Sequence, residues 1–77
     1  MIKKGDMCLK DLRGQLKDRD GRRYGDVIND TLLLVVDIRE SFFRDFNKSH
    51  SNYNVGFLCL LPSGELGWLL GYQVKTL

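Results

Sequence analysis

Two thiols, one imidazole and ten carboxylates are the groups in this 77-residue chain whose chemistry could go beyond structure. Cys8 and Cys59 both lie in apolar runs and read as buried, reduced thiols. A bridge between them would require their two strands to be neighbours. With His50 as the sole histidine, a four-ligand zinc site cannot be assembled from Cys and His. His50 stands in a polar stretch with no nucleophile or carboxylate dyad recognisable beside it, and reads as a loop residue. Asp18-x-Asp20-Gly21 has the opening of a calcium loop but not its later oxygen ligands or closing glutamate, so it reads as a turn. No glycine loop for phosphate is present either. The expectation is a protein that is not an enzyme, with no catalytic residues, metal, cofactor or small-molecule substrate.

Residue types suited to binding are more plentiful. Residues 1–23 carry eight Lys/Arg against four Asp/Glu, and residues 24–77 carry four against six, giving the net +2 of the whole. The basic excess peaks at Lys17, Arg19, Arg22 and Arg23, where Asp18 and Asp20 partly cancel it. That stretch reads as a solvated loop or as a phosphate-facing one, with Lys3, Lys4 and Arg13 adding charge and Tyr24 or Tyr72 available to stack on bases. Such a charge falls short of the footprint of a dedicated nucleic-acid binder. The aromatics offer a second surface. Phe42, Phe43 and Phe46 recur within five residues, in a spacing that would stripe one side of a helical turn, and Tyr53, Trp68 and Tyr72 follow. They either plug the core or form a docking patch for another protein.

The elements that must position these residues are mostly strands. Two apolar runs flank Pro62-Ser63-Gly64-Glu65, the mark of a hairpin. Pro62 suits the second position of a type I turn, and Gly64 can take the positive φ that closes a three-residue loop with a bulge. Val55, Phe57, Cys59 and Leu61 alternate on one face of the first run. Leu66, Trp68 and Leu70 alternate in the second and are assigned to the core, which leaves Leu58, Leu60 and Leu69 on the opposite faces. Gly5-Asp6 marks a turn before a first strand at Met7–Leu9; a helix through Cys8, Leu9, Leu12 and Leu16 competes but is weakened by Gly14. Gly14 to Arg23 reads as a polar excursion turning at Asp20-Gly21. Tyr24–Ile28 is a short strand, Asn29-Asp30 a bend, and Thr31–Arg39 the clearest strand of the first half. Residues 40–54 read as a long loop. Val74–Leu77 reads as a last strand that pairs with the first and closes a barrel.

One domain over residues 1–77 is expected, and Met1 makes it read as a whole small protein. No apolar stretch approaches the roughly 20 residues of a membrane span, and the start lacks the apolar segment of a secretory signal, which points to the cytoplasm.

The ending, Gly64-Glu65-Leu66-Gly67-Trp68-Leu69-Leu70-Gly71-Tyr72-Gln73-Val74-Lys75-Thr76-Leu77, resembles the close of an SH3 domain. There a Gly-Trp strand, a one-turn 3-10 segment and a Val-Lys-x-Leu strand follow one another. With the Gly5-Asp6 opening, it also looks like the short SH3-like proteins of tailed bacteriophages. The resemblance implies an all-β, small SH3-like barrel of four to five strands with a long 40–54 loop and a short 3-10 turn before the last strand. Leu70 stands where SH3 domains carry the proline of their peptide groove, so a proline-rich ligand is not implied. The functional expectation is a protein-interaction module docking through Phe42, Phe43, Phe46, Tyr53, Trp68 and Tyr72, of the kind of a phage accessory or structural protein in the host cytoplasm or virion. Its partner is another protein or a second copy of itself. The alternative is a nucleic-acid-binding barrel using Lys17, Arg19, Arg22 and Arg23.

Overall fold

The structure, a computed structural model, describes residues 2–12, 14–40, 42 and 55–77. Seven strands occur among them: β1 (Met7–Lys10), β2 (Gln15–Lys17), β3 (Arg23–Asp26), β4 (Leu32–Arg39), β5 (Gly56–Leu60), β6 (Leu66–Leu70) and β7 (Val74–Thr76), with a 3-10 turn at Gly71–Gln73 before the last. They form one antiparallel sheet in the order β3-β2-β6-β5-β4-β1-β7. The fold is all-β, a curled sheet forming a half-barrel that is compatible with an SH3-like small barrel.

Turn chemistry explains the connections. Gly64 has φ +91°, its N–H donates to the Leu61 carbonyl at 2.9 Å, and the Leu61 N–H donates to the Glu65 carbonyl at 2.9 Å. This is the bulged three-residue hairpin expected from Pro62-Ser63-Gly64. Gly21 also has positive φ, and the Asp18 carboxylate accepts from the N–H groups of Asp20 and Arg22, each at 2.9 Å. The Asp18–Gly21 segment is thus a side-chain-tied turn.

Three expectations are corrected: on residues 14–23, on strand number and on closure of the barrel. The excursion after Gly14 contains a strand, β2, because Leu16 enters the core, fully buried, and pulls its neighbours into pairing. The strand favoured at Met7–Leu9 over a helix is present as β1, and Leu12 takes φ +57° and Gly14 presses against Gln73, neither of which suits a helix. The strand count is seven rather than four or five. β7 does pair with β1, but β3 and β7 remain the two edges of an open sheet.

The core lines the inner face. Cys8, Leu16, Leu33, Val35, Cys59 and Leu69 are fully buried there, joined by Val27, Phe57, Leu61 and Val74. Leu69 is therefore core. The hairpin register pairs Phe57 with Leu69 and Leu58 with Trp68, so Trp68 and Leu70 point out of the opposite side. The assignment of Leu66, Trp68 and Leu70 to the core face is inverted.

Candidate binding surfaces

Trp68 is nonetheless buried, because Phe42 returns over the outer face. The two rings lie 5.3 Å apart at 45°, and Leu70 and Leu58 complete this second apolar cluster. Gly56 makes the seat: a Cβ there would stand 2.5 Å from Phe42 Cδ2. The Arg39 guanidinium lies 5.1 Å from the centre of the Phe42 ring and donates from Nη1 to the Arg19 carbonyl at 2.8 Å. Beside this cluster opens a cleft of about 510 Å³ bounded by Arg19, Asp20, Asp37, Ile38, Arg39 and Trp68. A neighbouring cleft of about 420 Å³ runs past Arg19 and Trp68 to Tyr24 and Leu66, and the Tyr24 hydroxyl donates to the Leu66 carbonyl.

A different groove, of about 510 Å³, lies where the N-terminal segment meets the ends of β4, β5 and β6. It is walled by Ile2, Ile38, Val55, Phe57, Gly71 and Tyr72, with Lys3 and Glu40 at its rim. The 3-10 turn sets Tyr72 there, 39% exposed.

Near the 3-10 turn the interior is polar. Lys17 Nζ donates to the Gln15 carbonyl and to Gln73 Oε1, both at 2.9 Å, and Gln73 Oε1 also accepts the Leu70 N–H at 2.9 Å. Lys10 Nζ donates to the carbonyls of Asp11 and Leu12. Both lysines are buried. Burial, then the charges of Arg23 and Lys10, press the Lys17 ammonium down to about 8. Burial also lowers Lys10, against the pull of Asp11. Gly14 closes the cluster, because any Cβ would overlap Gln73 Nε2 at 1.4 Å. The two cysteines are free and buried; the hydrogen bond with Cys8, together with burial, raises the Cys59 thiol.

Of the aromatics expected to dock a partner, Phe42 and Trp68 are buried against each other and Tyr72 is exposed in a groove. Phe43, Phe46 and Tyr53 lie outside the described residues, as do His50, Arg13 and most of the 40–54 loop. Of the four basic candidates, Arg19, Arg22 and Arg23 are exposed, and Lys17 is buried with its ammonium held by Gln15 and Gln73. The sequence reading missed Ile2, Ile38 and Val55 as groove walls, although Val55 and Ile38 each end an alternating strand pattern. It also missed Arg39 beside the basic loop, which only the fold brings near Arg19. Among the described residues no three of His, Cys, Asp and Glu gather as a metal site would require, and no helix is long and apolar enough to cross a membrane. Comparisons with family models, with curated proteins and with solved structures return no match to this chain. The class that fold and surfaces define is a small antiparallel β half-barrel carrying two kinds of cleft, one apolar and one lined with arginine and aspartate.

Proposed function

We propose that this chain is a non-catalytic protein-interaction module that docks a segment of another protein in the groove beside Tyr72. One observation carries the reading. Tyr72 is an exposed aromatic set on a hydrogen-bonded turn, in a groove lined mostly by aliphatic and aromatic side chains, with Lys3 and Glu40 beside them. Such a concave, mostly apolar surface with a rigid aromatic at its edge is the form of a binding hot spot. The likeness of the ending to SH3-like phage proteins supports a finer reading, a phage accessory or structural protein acting in the host cytoplasm or the virion. The test is an affinity capture with and without nuclease at two salt concentrations, followed by titration of the captured protein against Tyr72→Ala. A nuclease-resistant, salt-tolerant partner whose affinity falls at least about tenfold with Tyr72→Ala supports the groove. Unchanged affinity rejects it.

A second reading, nucleic-acid binding, is favoured by the exposed Arg19, Arg22 and Arg23, of which Arg19 shares a cleft with Arg39 and Trp68. Binding through these phosphate contacts would weaken steeply with salt and be lost on charge reversal of Arg22 and Arg23.

A further inference from the structure

Three independent strand pairings place four apolar side chains in one line across the outer face of the sheet. Met7 of β1 is opposite Leu34 of β4, Leu34 is opposite Leu60 of β5, and Leu60 is opposite Leu66 of β6. Cross-strand partners share a face, and the inner face is held by Cys8, Leu33, Val35 and Cys59, so the line faces outward. Met7, Leu60 and Leu66 are 41%, 37% and 48% exposed. On the next rung Leu9 pairs with Leu32, itself 42% exposed. We infer that this row is the dry centre of an interface with a second copy of the same chain, two half-barrels stacked outer face to outer face.

Two features fit a second copy as the occupant. The first is charge. The charged groups flanking the row already have partners: Lys75, opposite Leu9, reaches Asp30 at 2.9 Å, and Asp37, one rung beyond Leu34, lies 4.0 Å from Lys4. A nucleic acid or an anionic headgroup would have to break these pairs to gain a cation, whereas an apolar row with a neutralised rim is complementary to itself. The second is size. Four strands at about 4.8 Å spacing make a row about 14 Å across. That fills the centre but not the whole of a side of about 600–800 Å² in a small specific interface, the polar rim supplying the rest. A twofold axis along the strands lays each row on its partner's in the opposite sense, an isologous contact that closes at two copies.

The experiment is sedimentation equilibrium of the full chain from low to high micromolar concentration. Mass should rise from 8.9 kDa towards twice that value. Leu60→Glu and Leu66→Lys should each raise the dissociation constant at least tenfold, while Tyr72→Ala, outside the row, leaves it unchanged and so separates this interface from partner docking. If either variant fails to fold, dilution of the unaltered protein followed by NMR should move the signals of Met7, Leu34, Leu60 and Leu66 before those of the groove. A chain monomeric throughout, a dimer indifferent to both variants, or dilution shifts confined elsewhere would overturn the proposal.

Discussion

Leu58, Trp68 and Leu70 on one stretch of the outer face, and Leu34, Leu60 and Leu66 on the next, come largely from the same strands and the same residue types. The first stretch is dry and the second is exposed. What separates them is the return of the chain after β4. Phe42 folds back onto Trp68 because Gly56 leaves room for its ring and Arg39 braces its other side. Beyond Trp68 no described side chain comes back, so Leu60 and Leu66 keep contact with water. In a sheet this small, one glycine and one returning aromatic divide an apolar face into a second core and an exposed row.

Breaking the covered half has the largest effect. Trp68→Ala removes the ring from a buried site and should cost about 3–5 kcal/mol in a urea or thermal melt. For a chain of 77 residues that is a large part of the total. A melt unchanged by the substitution would show that the Phe42–Trp68 cluster does not stabilise the fold. Gly56→Ala should cost less, about 1–3 kcal/mol, because its Cβ would force Phe42 off its seat rather than delete contacts. If Gly56→Ala is neutral, Phe42 has other places to lie.

The hairpin shows how much of this division was legible beforehand. Pro62-Ser63-Gly64 announces a three-residue loop, and that loop alone sets Leu61 opposite Glu65. Counting back along both strands then places Phe57 opposite Leu69 and Leu58 opposite Trp68. With Phe57 and Cys59 inside, Trp68 must be outside. Alternation shows that Leu66, Trp68 and Leu70 share a face but not which one, and choosing by hydrophobicity inverts them. Strand β2 was hidden for another reason: Leu16 stands among polar residues with no alternation around it, and the one spacing it shares, with Cys8, Leu9 and Leu12, is helical. The Tyr72 groove joins segments near residues 2, 38, 55 and 72, a convergence that only topology supplies. Buried Lys17 was equally hidden, since Gln73, its side-chain partner, lies 56 positions away.

That lysine, on the strand beside Trp68, gives a readout by pH rather than by packing. Its folded pKa, about 8, lies below the ordinary 10.5, so the unfolded chain binds more protons between these values and stability rises with pH. Roughly 1 kcal/mol should be gained between pH 7 and 9, read as a higher Tm, and Lys17→Met should flatten the profile. The window stops near pH 9, because above it the Cys8–Cys59 pair titrates as a unit, the shared hydrogen bond lowering one thiol and raising the other.

The smallest effect is expected from the bare half, and it sharpens the contrast most. Leu66 is 48% exposed and paired with Leu60, itself 37% exposed, so Leu66→Gln removes little buried area. Measured at high dilution, its unfolding free energy should stay within about 0.5 kcal/mol of the unaltered chain, against the severalfold larger loss at Trp68, two residues along the same strand and face. At high protein concentration the two chains should diverge, because self-association stabilises only the form that keeps the row intact. A loss at high dilution as large as that of Trp68→Ala would mean that Leu66 is packed within its own chain, and the two halves of the face would no longer differ in kind.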